Sequence, residues 1–228
     1  MNKFFVLKPE EGLRFGRKWA YAQIQKPDNT GEAQHCPVCG DPVSQMKWLP
    51  PHNIKLSSAK PQKWGDIVWG AGFPLLVSSK FKGVYERESL SGIADFSPPV
   101  EMVRMGILKS GPFPNPPPSY HLIHLPWGGA NQDDAASGLQ HELPNKITCT
   151  YCRSGVTWRK QDRIVIEDGS WDGSDIFKPR NAPIQFMISE RFKQIADEYE
   201  FKNTWFIPAE KYGYDEHRPG LWYVNESG

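Results

Sequence analysis

The most regular apolar pattern in the chain begins at Ser189. Phe192, Ile195, Ala196 and Tyr199 fall at i, i+3, i+4 and i+7, which is one face of an α-helix. Ser189 stands at the N-cap, where its hydroxyl can accept from an otherwise unpaired amide of the first turn. A second helix is expected from Ser79, with Phe81, Val84 and Tyr85 inward and Gly83 weakening it. Short apolar runs surround both helices. Phe4-Phe5-Val6-Leu7 and Tyr120-His121-Leu122-Ile123 read as strands, as do Pro74-Leu75-Leu76-Val77 and Pro183-Ile184-Gln185-Phe186-Met187-Ile188. Each helix leads into a strand that ends at proline, Ile93 to Pro98 and Thr204 to Pro208.

These elements recur in one order. Each half has an apolar run, a cysteine pair, a Trp followed by Asp-Ile (Trp64 with Asp66-Ile67, Trp171 with Asp175-Ile176), an apolar strand, a serine and a helix. The proline-rich stretch 110–119 cannot continue a helix or an inner strand and separates the halves. The division expected is therefore 1–109, a connector at 110–119, and 120–228. The fold class is α+β: mainly antiparallel strands with two principal helices, in two duplicated halves that pack about a pseudo-twofold axis.

Composition narrows the class. The 228 residues are 39% apolar, with 12 Phe, 9 Trp and 8 Tyr, enough to build a core and to argue against whole-chain disorder. The 27 basic and 26 acidic side chains leave a net charge of +1, and no segment is strongly basic. A nucleic-acid surface needs clustered Lys and Arg, so this weighs against one. The apolar run near the N-terminus is too short for a signal-peptide core, and no stretch approaches membrane-span length. The expected location is cytoplasmic.

In that reducing compartment the cysteines acquire a meaning. There are four, in two pairs: Cys36-Pro37-Val38-Cys39 and Cys149-Thr150-Tyr151-Cys152. Two residues between partners lets a thiolate knuckle grip a tetrahedral metal ion from one side, and two knuckles complete a closed structural Zn²⁺ shell. The pairs lie 113 residues apart, so one shared ion would tie the halves together. Disulfides and four merely packed thiols are the alternatives. Pro37 and Gly40 suit the first knuckle turn, whereas Arg153 stands where the second would have glycine. His35 is read as loop surface beside the knuckle. His141-Glu142 before Cys149 lacks the spacing of a nucleobase deaminase, and no phosphate loop, nucleophile elbow or His-Glu-x-x-His helix is present. No catalytic residues are assigned. Trp48, Trp69, Trp127, Trp158 and Trp222 lie near loops and are candidates for the core or for a partner surface.

With both cysteine motifs in view, the chain resembles the double-CXXCG motif immunity proteins of bacterial polymorphic toxin systems. Residues 72–77 before the first helix, Ser174-Asp175-Ile176-Phe177, and the Ser189-Glu190-Arg191-Phe192 helix entry extend the likeness over roughly residues 3 to 212. Arg153 departs from the motif. The resemblance implies a non-enzymatic protein that binds and neutralises a cognate toxin protein. A zinc-ribbon nucleic-acid module is the alternative.

Overall fold

The computed structural model describes residues 2–10, 18–57, 63–70, 75–106, 117–142, 149–153, 158–182, 185–218 and 222–225. Most of the proline-rich connector lies outside the described residues, as do 72–74 and 183–184.

The first half supplies β1 (Phe4–Lys8), β2 (Tyr21–Ile24), β3 (Asn53–Ser57), β4 (Ile67–Val68), β5 (Leu76–Ser78), α1 (Ser79–Arg87), β6 (Asp95–Pro99) and β7 (Glu101–Gly106). The second supplies β8 (Tyr120–His124), β9 (Trp127–Ala130), β10 (Gln140–His141), β11 (Trp158–Gln161), β12 (Ile176–Pro179), β13 (Met187–Ser189), α2 (Glu190–Glu198), β14 (Trp205–Pro208), β15 (Tyr212–Asp215) and β16 (Trp222–Val224). They form four sheets, ordered β14-β1-β13-β12-β9, β4-β5-β8-β6, β2-β3-β7 and β10-β11-β15-β16. All pairings are antiparallel except β3 with β7 and β9 with β12. The α+β class with two principal helices is what the apolar periodicity predicts.

Both helices begin as expected. The Ser78 and Ser189 hydroxyls each accept from the amide three residues on, Phe81 and Phe192, at 3.1 Å. Phe81, Val84 and Tyr85 are buried on α1. On α2, Phe192 and Ala196 are buried, while Ile195 and Tyr199 are partly covered.

The repeat extends to the sheets, with an exchange that the sequence pattern does not reveal. The first strand of each half lies in the sheet of the other. β1 sits between β13 and β14, and β8 sits between β5 and β6. The registers match: Phe4 faces Ser189, Tyr120 faces Ser78, Leu7 faces Phe206, and Ile123 faces Phe96. A bulge between Phe96 and Pro99 is the main departure. Each central strand has a neighbour on both sides, so its backbone groups are paired and its side chains are covered.

Between the two sheets lies one core, to which both halves contribute. Phe81 is fully buried, with Phe192 at 6.0 Å and Phe201 at 5.0 Å between ring centroids. Truncating such a side chain to Ala costs about 3–5 kcal/mol through lost burial and the cavity it leaves. Where α1 and α2 approach, equivalent residues touch: the Tyr199 hydroxyl donates to Glu88 Oε1 at 2.7 Å.

Two buried carboxylates reinforce the interlock. Asp66 Oδ1 accepts from the Ser78 hydroxyl at 2.7 Å, and its Oδ2 accepts from the Lys202 amide at 2.9 Å. Asp175 does the same with the Ser189 hydroxyl at 2.8 Å and the Ser91 amide at 3.1 Å. Each acid thus ties its own helix cap to the loop after the other half's helix. A cation attends each, Lys80 Nζ at 3.4 Å and Arg191 at 2.7 Å. No helix among the described residues is long and apolar enough to cross a membrane.

Candidate metal centre

The first cysteine pair sits at the tip of an arm that leaves the body between β2 and β3. Backbone bonds climb the arm from Leu49 N to Asn29 O, Gly31 N to Lys47 O, and Val43 N to Gln34 O, each at 2.8 Å. Near the tip the chain reverses: the Gly40 amide donates to Cys36 O at 3.0 Å, and the Cys36 amide donates to Asp41 O at 2.8 Å. The Val38 amide points at Cys36 Sγ, 3.4 Å away, as an amide that stabilises thiolate charge should. The second pair lies between β10 and β11 and reverses in the same way, with the Arg153 amide donating to Cys149 O at 3.0 Å.

Gly40 has φ +80°, and Arg153, in the matching position, has φ +49°. Arginine therefore adopts the left-handed conformation that glycine takes more easily. Its side chain gains an anchor there, an ion pair with Asp134. Asp134 also meets His141 Nε2 at 3.3 Å and accepts from Asn181 Nδ2 at 2.9 Å. The missing glycine is thus accommodated by the backbone.

The structure brings all four predicted ligands together. The Sγ atoms of Cys36, Cys39, Cys149 and Cys152 lie within 4.8 Å of one another, with Cys36 to Cys149 at 3.9 Å and Cys39 to Cys152 at 3.6 Å. Each cysteine thereby meets its counterpart from the other half. A tetrahedral Zn–S shell with bonds of about 2.3 Å sets its sulfurs about 3.8 Å apart. Disulfide sulfurs would be about 2.05 Å apart, and none of the four cysteines is in a disulfide. The donor set fits a thiophilic ion held by protein alone, with no position left for substrate.

Cys36, Cys149 and Cys152 are buried, and Cys39 faces solvent. Val43, Trp127 and Tyr151 close around them. Gln34 clasps Trp127, accepting from its amide at 2.8 Å and donating to its carbonyl at 3.3 Å, so the arm of one half is fixed to β9 of the other. The Arg180 guanidinium lies over the Tyr151 ring at 4.4 Å.

The thiols differ in acidity. The Cys149 thiol is drawn down to about 7, above all by the Cys152 backbone amide, against the opposing effect of burial. For Cys36 burial pushes upward, but the amides of Cys39 and Val38 and the neighbouring thiols outweigh it and lower the value. Cys39 is pushed up to about 12: the Asp41 amide favours its thiolate, but burial and the three neighbouring sulfurs prevail. Some thiols ionise at the expense of others, and a divalent cation relieves that conflict.

His35 is not among the converging ligands; its Nδ1 lies 2.7 Å from Gly40 O. His121 is buried between Ser79 Oγ at 3.1 Å and Ser97 O at 2.9 Å, a structural role. The paired acids Asp66 and Asp175 escaped the sequence reading as organising residues. Their signal was the repeated Asp-Ile dipeptide.

No model of a known protein family matches the chain, and no curated protein matches it. The likeness to the double-CXXCG immunity proteins rests on the residues that carry it.

Proposed function

We propose that this is a non-enzymatic immunity protein that binds a cognate bacterial toxin in the cytoplasm, on a scaffold clamped by one structural Zn²⁺ ion. The observation that carries the metal half of this reading is the convergence of four sulfurs from two distant knuckles within 4.8 Å. A closed four-thiolate shell offers rigidity and no open coordination position, which suits a binding scaffold better than a catalyst.

The distribution of exposed apolar side chains supports a protein partner. Ile24, Val38, Met46 and Leu49 are exposed, and all belong to β2 and the knuckle arm; Trp205 is the remaining large one among the described residues. Val38, at the knuckle tip, is 67% exposed. Apolar groups on a rigid, metal-stiffened arm can dock without a large ordering cost. A stable complex would bury about 800 Å² on each partner.

Co-purification of the tagged protein with the product of the adjacent gene tests the partner. Capture of a toxin whose activity is blocked supports the reading. Loss of capture in Val38→Asp/Met46→Asp would assign the face. Tight, steeply salt-dependent retention on DNA, with no protein partner, would contradict the reading and favour a nucleic-acid module.

A further inference from the structure

A cavity of about 340 Å³ opens where the base of the knuckle arm meets the sheet of the first half and β12 of the second. Its size falls in the small-ligand range, at the lower end of roughly 300–1,000 Å³. Trp48, Leu125 and Phe186 give it apolar walls. Such a pocket becomes a specific site when a few polar groups converge on it, and here several do.

Lys178 projects from β12 into this lining. Among the described residues its ammonium has no ion-pair or hydrogen-bond partner; it lies over the Phe186 ring at 5.0 Å. The other charges at the cavity are a matched pair, Lys47 with Asp95 at 3.1 Å, so Lys178 leaves an unbalanced positive charge. His124 lies close enough to Lys178 to feel its charge. Trp48 is 5% exposed and walls the cavity with its apolar ring. His52 is satisfied by the Trp48 carbonyl at 3.0 Å and adds no demand.

We propose that this cavity binds a small organic carboxylate, whose acid group pairs with Lys178 and whose apolar body lies against Trp48 and Phe186. An unpaired ammonium over an aromatic ring, in a cavity with apolar walls, is complementary to one anion attached to a flat or branched hydrocarbon. The position is costly to the fold. Burial holds the Lys178 ammonium down at about 8, so its charge is carried at the expense of stability. Groups retained at such expense concentrate where binding requires them. The cavity shares Met46 and Leu49 with the proposed toxin face, but Lys178 lies on the other side of it and the sulfurs lie apart.

The test is NMR titration of the full zinc-loaded chain with phenylacetate, indole-3-acetate and 4-methylpentanoate at millimolar concentration, with phenylacetamide as the uncharged control. At least one acid is expected to shift the Trp48 indole and Lys178 ammonium signals saturably, and phenylacetamide to bind about tenfold more weakly. Lys178→Met is expected to abolish the preference for the acid while melting no lower than the parent. Leu125→Trp, which fills the cavity, is expected to abolish binding of acid and amide alike. Absence of saturable shifts with all three acids would overturn the proposal, as would equal binding of acid and amide, or Lys178→Met binding the acids as the parent does. Lys178→Met leaves Val38 and Met46 in place, so its effect on the acids is separable from loss of toxin capture.

Discussion

The loops that follow α1 and α2 occupy equivalent places, each against the Asp-Ile strand of the other half, yet one carries Gly92 where the other carries Asn203. Ser91 O accepts from the amides of Asp175 and Ile176, and Lys202 O accepts from those of Asp66 and Ile67. Beyond this shared contact the chemistry diverges. Gly92, at φ +110°, lets the backbones close so far that a Cβ would lie 1.8 Å from Ile176 O. Asn203, at φ +65°, keeps its side chain and donates from Nδ2 to Ile67 O at 2.9 Å. The repeat conserves where the backbones meet, not how they are held. One crossing depends on the absence of a side chain, the other on a replaceable hydrogen bond.

Perturbing matched positions in the two halves exposes what they share and where they differ. The largest and most symmetric effect is expected at the four-cysteine cluster. Cys36→Ser and Cys149→Ser each remove one sulfur from the same four-cysteine cluster, and so one ligand from the proposed ion. Both should lower the melting temperature strongly and to a similar degree, and chelation of the parent should reproduce the loss. Next, Gly92→Ala has to move backbone against backbone and should cost more than about 3 kcal/mol in denaturant unfolding. Asn203→Ala forfeits the buried bond to Ile67 O and the longer one accepted from the Glu10 amide, and should cost about 1–2 kcal/mol. Equal losses at the two positions would contradict this asymmetry.

The acid hubs come next. Asp175→Ala strands the Ser91 amide and the Ser189 hydroxyl and releases Arg191; Asp66→Ala strands Lys202 N and the Ser78 hydroxyl. Each should cost about 2–3 kcal/mol in chemical denaturation, with the two values close together.

A smaller, pH-dependent difference is expected where Trp69 and Lys178 occupy matching positions beside Phe186. Trp69 packs edge-on at 5.9 Å, whereas Lys178 sets a charge over the ring. The folded chain holds the Lys178 proton less tightly than the ordinary value of 10.5 would imply, at about 8. Its burden is full at neutral pH and fades as pH rises from about 8 towards 10.5. Lys178→Met should therefore raise stability by on the order of 1 kcal/mol at pH 7 and by less at pH 10. The smallest contrast is at the knuckle turns. Gly40→Ala meets no steric contact but is strained in φ, at about 1 kcal/mol. Arg153→Gly relaxes its φ but gives up the Asp134 pair, so its net change should be smaller. Thermal melts of the two variants in the zinc-loaded state decide the order.

Much of the frame was legible from local signals. The helical stripes, the serine caps and the Cys-x-x-Cys spacing each depend on residues a few positions apart, and each forms as expected. The similar order of elements in the two halves was visible for the same reason. The strand exchange was not. β1 and β8 are short and nearly continuous in apolar character, so nothing in them says between which strands they insert. Hydrogen bonds between residues more than a hundred positions apart decide that. Lys178 was equally hidden, because a lysine before a proline reads as surface until the fold lays the knuckle arm over it. In the four-sulfur cluster the ligand identities came from spacing, but their convergence required the pseudo-symmetric packing that the sequence pattern only suggested.

The most direct measurement is zinc content per chain, on protein purified under reducing conditions without chelator, alongside Cys36→Ser. One equivalent in the parent, with its loss accompanied by unfolding at lower temperature, is the predicted result. Two equivalents, or none in a chain that melts as the parent does, would contradict a single ion shared by both halves.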